Sequence, residues 1–96
     1  MRAALLFLAF ILPATALAEL PTERYAPAQL AVAQQMLERA RLAALRGDAA
    51  LAGKFAWQAS LDARLTWNMT RSETLRADAA AIARAASVLV TRLATR

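Results

Sequence analysis

After Pro27 the chain has no further proline, and only Gly47 and Gly53 interrupt a sequence dominated by Ala, Leu, Gln, Glu, Met and Arg. These are good helix formers, so the chain can be helical almost to its end. The fold then depends on where the helices stop. Pro27 is suited to a first helical turn, and proline biases the residue before it toward extended angles. The spacing therefore predicts an extended lead-in over 19–26 and a helix over 27–46. Leu30, Ala33, Leu37, Ala40 and Ala44 recur at alternating spacings of three and four, which places them on one buried face.

Arg46-Gly47-Asp48 is the strongest punctuation in the chain. Glycine reaches the left-handed angles that close a helix, Arg46 complements the negative end of its dipole, and Asp48 can cap the next helix. Gly47 and Asp48 are thus the predicted turn of an antiparallel hairpin. Gly53 reads as a point of close approach between the two helices. Across the hairpin Leu45 falls opposite Leu51, Leu37 opposite Gln58, and Leu30 opposite Leu65. Leu51, Phe55, Ala59, Thr66 and Met69 form the receiving face, with Asp62 on the same side.

Further along, Leu61, Asn68, Leu75, Ile82 and Leu89 repeat every seven residues beside Leu65, Ser72, Ala79, Ala86 and Leu93. Two all-α architectures compete. Thr70-Arg71-Ser72-Glu73 resembles a capping box that would start a third helix, giving a three-helix bundle with a break near Asn68 to Ser72. The seven-residue register crosses that stretch without interruption, and no Gly or Pro eases a reversal. The favoured expectation is a hairpin whose second helix runs unbroken over 49–94. A straight second helix would outrun the first by about 25 residues, about 38 Å. The overhang would expose an apolar seam at Leu61, Leu75, Ile82, Leu89 and Leu93. Trp57, on the same outward side, completes a candidate interaction face.

The start of the chain carries a different message. Met1-Arg2, an apolar run over Ala3 to Leu12, and a small-x-small end at Ala16-Leu17-Ala18 are the parts of a secretory signal, expected to be cleaved after Ala18. After the lead-in over 19–26, residues 27–96 are then expected to form a single helical domain, too short for a second, and the expected location is the periplasm. No cysteine is present, which removes disulfides and the acylated residue of a lipoprotein. No histidine is present either, so typical zinc sites and histidine-dependent triads are excluded.

The formal charge is +5, and removal of Arg2 lowers it by one. That excess favours anionic surfaces. The basic residues, all Arg except Lys54 after the leader, are scattered over helical faces and form no nucleic-acid stripe. Seven carboxylates remain, but a helical hairpin offers no cleft in which two could face each other as acid and base. Asp48 is accounted for as a cap and Glu38 as a surface partner of Arg41. Asp62, among apolar neighbours, is expected to pair with Gln34 or an Arg across the hairpin. Asn68-Met69-Thr70 fits a glycosylation sequon but carries little weight at three residues. No catalytic, cofactor-binding or metal-binding residues are predicted.

Tyr25-Ala26-Pro27-Ala28-Gln29-Leu30, Leu37-Glu38-Arg39-Ala40, Gly47-Asp48, Ala52, Ala56 to Ala59 and Asp62-Ala63 together resemble the bacterial envelope family called domain of unknown function 4398. The resemblance implies an exported, Ala-rich helical hairpin around a Gly-Asp turn. That family has no assigned activity, so it supplies no catalytic residues, and the lipidated cysteine its members often carry is absent here. The expected function is non-enzymatic: helix-helix interaction with a second copy or an envelope protein. Binding to an anionic membrane surface is the alternative.

Overall fold

Three helices account for nearly all of residues 21–95, the part of the chain that the computed structural model describes: α1 (Pro21–Leu45), α2 (Ala49–Met69) and α3 (Glu73–Ala94). The fold is all-α, with no strand among the described residues. The leader over 1–18, its cleavage point and the first two lead-in residues lie outside them. α1 and α3 both pack along α2 and also touch each other, which makes a three-helix bundle.

The first corner follows its local chemistry. Gly47 has φ +80°, its N–H donates to the Ala44 carbonyl at 3.0 Å, and the Asp48 N–H reaches back to the Ala43 carbonyl at 3.0 Å. This pair of bonds is the Schellman closure that a left-handed glycine permits. Asp48 caps α2 by accepting from the Leu51 N–H at 3.0 Å.

The single long second helix is not what forms. Thr70 is extended (φ −131°, ψ 152°) and Ser72 lies in the β region (φ −64°, ψ 121°), so α2 ends at Met69 and α3 runs back along it. Both conformations are open to ordinary residues, which is why the reversal needs neither Gly nor Pro. Ser72, not Thr70, caps α3, its hydroxyl accepting from the Leu75 N–H at 3.3 Å. Glu73 sits in the first turn, where the helix dipole favours a carboxylate.

The lead-in is also corrected. Pro21 to Ala26 are helical, and Pro27 lies inside α1 although it withholds one backbone hydrogen bond. Tertiary contacts offset that loss: Ala26 is fully buried, and Glu23 reaches the second corner. Its carboxylate accepts from the Thr70 hydroxyl at 2.7 Å and from the Arg71 N–H at 2.6 Å. Because α1 extends this far back, it spans the full length of α2 and no overhang exists.

Alanine dominates the interior. Ala33 and Ala40 of α1, Ala56, Ala59 and Ala63 of α2, and Ala79 and Ala86 of α3 are buried around Leu30, Leu37 and Ile82. Small side chains let helices approach toward the short end of the usual 8–10 Å range. The predicted α1 stripe is the buried one, apart from the half-buried Ala44. On α2, Ala59, Asp62 and Thr66 are buried as expected, while Leu51 is exposed.

Candidate binding face

The seven-residue seam proves to be two different faces joined at the corner. In α3, Ile82 is buried, and Leu75 and Leu89 pack against the core. Leu93 is half-buried. In α2, Leu61 and Leu65 stay exposed, as does Trp57 at 62%. Folding α3 back consumes the α3 half of the predicted interaction face within the chain. Trp57 and Leu61 are what remain of it.

Around them the structure assembles a site that periodicity did not reveal. Trp57, Ser60, Arg64 and Trp67 recur along α2 at spacings of three and four, which aligns them on the edge facing α3. Opposite stand Ala83, Ala86, Ser87 and Val90, and an open groove of about 270 Å³ lies between the helices. Ala56 on α2 and Ala83 and Ala86 on α3 lack the side-chain volume to fill it. A smaller hollow of about 100 Å³ continues it toward Trp67, and Arg64 lines both. Ten residues separate the two tryptophans, about 15 Å along the helix.

The electrostatics of this face are one-sided. The charged side chains of α2 are Lys54, Asp62 and Arg64, and of these only Asp62 is buried. Arg64 has no ion pair among the described residues. At the far end the Arg76 guanidinium lies 4.9 Å from the centre of the Trp67 ring, and its Nε donates to the Thr70 carbonyl at 2.8 Å. A cation over an exposed indole is worth about 0.5–1 kcal/mol and holds Trp67 in place. Arg84, one turn beyond Ala80, adds a further exposed cation on the rim. Glu73, three residues before Arg76, is the carboxylate whose helical position brings it nearest this side.

Asp62 faces the other way, toward α1. Its Oδ1 accepts from Gln29 Nε2 at 3.1 Å and Gln58 Nε2 at 3.2 Å, in place of the expected Gln34 or Arg. Oδ2 is buried without a hydrogen-bond partner among the described residues. The Gln29 contact places the α1–α2 register about one helical turn from the one read from the sequence, which set Gln29 opposite Thr66. No group of three or more His, Cys, Asp or Glu side chains gathers to hold a metal among the described residues. None of the described helices is long and apolar enough to cross a membrane.

These features define a small all-α bundle with an exposed aromatic and basic face. Compared with family models, curated proteins and solved structures, the chain matches none.

Proposed function

We propose that this protein is an exported, non-enzymatic interaction protein whose docking face is the outward side of α2 with its groove against α3. The single observation that carries the reading is the run of exposed Trp57, Leu61 and Leu65 on successive turns of one side of α2, with the exposed Trp67 at the edge of the adjoining groove. Exposed apolar residues scattered singly need no explanation, but a cluster flanked by polar groups marks a contact surface. Tryptophan and arginine are also the residues in which interfaces concentrate their energy. The lack of histidine and cysteine supports a binding role over a catalytic one. The basic, apolar and small-x-small start of the chain supports export. The family resemblance belongs to this proposal too, and its motifs fall in α1, the first corner and α2.

Site-resolved photo-crosslinking in cells tests it. A photoreactive residue in place of Leu61 should give adducts, with protein or with lipid, that the same residue in place of the exposed Ala31 on α1 does not. Equal labelling at the two positions, or none at Leu61, removes the reading.

A further inference from the structure

We infer that the surface this face docks on is the anionic surface of a lipid bilayer, with α2 lying along the interface. The inference rests on the interaction reading above and adds the occupant. Charge selects it first. Lys54, Arg64, Arg76 and Arg84 surround or line the face, and the carboxylates nearest it, Glu73 and the corner-bound Glu23, stand only at its Arg76 end. The exposed charges of α1 instead mix signs, as in the Glu38–Arg41 pair at 3.9 Å. A second copy is a poor occupant, because it would bring the same cations against these and offers no exposed carboxylate on α2.

Shape and chemistry point the same way. Leu61 and Leu65 stand on a convex ridge, not in a hollow, so their tips can enter the boundary between headgroups and acyl chains. Lys54 and Arg64 flank that ridge, and their long aliphatic stems let the charges stay at headgroup level while the ridge inserts. Indole has an apolar body and an N–H donor, which suits that same depth; Trp57 stands one turn before Leu61 on the ridge, while Trp67 lies round the helix at the edge of the groove. Beside it, Arg64, Ser60 and Ser87 line the groove as hydrogen-bond donors over an alanine floor. That combination fits a phosphate headgroup above and apolar lipid below.

Partition of the purified protein into vesicles tests the inference. Vesicles of phosphatidylcholine with phosphatidylglycerol should bind it at low salt, and phosphatidylcholine alone should not. Trp67→Phe leaves Trp57 as the reporter and Trp57→Phe leaves Trp67; both emissions should shift to the blue and become shielded from an aqueous quencher. Removing Lys54 or Arg64 as Ala should weaken partition about fivefold each, and the pair about thirtyfold. Arg41→Ala on α1 should leave it unchanged, and the helical circular dichroism of every variant should match the parent. Absence of partition into the anionic vesicles overturns the inference. Partition that ignores Lys54 and Arg64 overturns the face. If vesicles fail while the Leu61 photoreactive variant still captures a protein, the occupant is an acidic protein surface and the interaction reading stands without the membrane.

Discussion

The two corners of the bundle reverse the chain by opposite means. At the first, everything needed lies between Ala43 and Leu51: a left-handed glycine, two backbone bonds and one aspartate cap. At the second, Thr70 to Ser72 contains no glycine, and the closing group is Glu23, whose hydrogen bonds cross 47 and 48 residues of sequence. Thr70 is the hub there. Its hydroxyl donates to Glu23 and accepts from the Ser72 N–H at 3.0 Å, while its carbonyl accepts from Arg76. A corner built from neighbours announces itself in the sequence; a corner built from a distant helix does not.

The largest effect is therefore expected at the second corner. Thr70→Val keeps the shape of a side chain that is 2% exposed but removes its hydroxyl, and should cost about 2 kcal/mol in chemical denaturation. Glu23→Gln should destabilise in the same direction, and the double variant should lose less than the sum, because the two share one bond. The charge part of this contact is separable by pH. The Thr70 hydroxyl, followed by the Arg71 N–H, holds the Glu23 carboxyl below its ordinary pKa, opposed by its own desolvation and assisted by the charges of Arg71 and Arg76. A depressed folded-state pKa means the contribution is complete above the unfolded value of about 4.3 and is lost as pH falls through the lower folded value. The stability gap between the parent and Glu23→Gln should thus stay constant near neutrality and close in acid. A gap that persists in acid would mean the corner is held by something other than the carboxylate.

The same division explains what could be read from the residues beforehand. The α1 stripe at Leu30, Ala33, Leu37 and Ala40 was legible because a period of three and four states which side of a helix is covered. The period at Leu75, Ile82 and Leu89 was equally legible, but a heptad does not say whether the cover comes from this chain or another. Leu61 and Asn68 continued the count by coincidence, across a three-residue corner that turned their helix to another face. For the binding face, Trp57 and Leu61 stood out as chemistry. The groove wall did not, since Ala83, Ala86 and Ser87 have no signature until α3 is folded against α2. Arg64 and Trp67 had a usable signal in their helical spacing from Trp57, and Glu23 was hidden by placing it in an extended segment.

Gly47→Ala probes the local corner and should have a smaller effect. A Cβ at Gly47 meets nothing within 4 Å, so any cost comes from the backbone alone. Holding an L-residue at φ +80° costs about 1 kcal/mol, and the variant should lose that much in the same denaturation experiment. A neutral result would show that the Schellman closure relaxes into another turn. The contrast with the second corner would then sharpen, because the local signal would mark a turn without being needed to hold it.

Gly53→Ala should have the smallest effect, and of opposite sign. The sequence gives Gly53 the same chemical identity as Gly47 and places it only six residues further on, where a close approach to α1 was expected. The structure denies that role: a Cβ at Gly53 meets nothing within 4 Å, and its backbone is ordinary helix. What remains is the entropy that glycine loses in a helix interior, so alanine should raise stability by about 0.7 kcal/mol. If Gly53→Ala destabilises instead, the interval between α2 and its neighbours is tighter than the open space around this position allows. With Gly47→Ala costly and Gly53→Ala favourable, the two glycines separate by backbone angle alone, since neither is crowded.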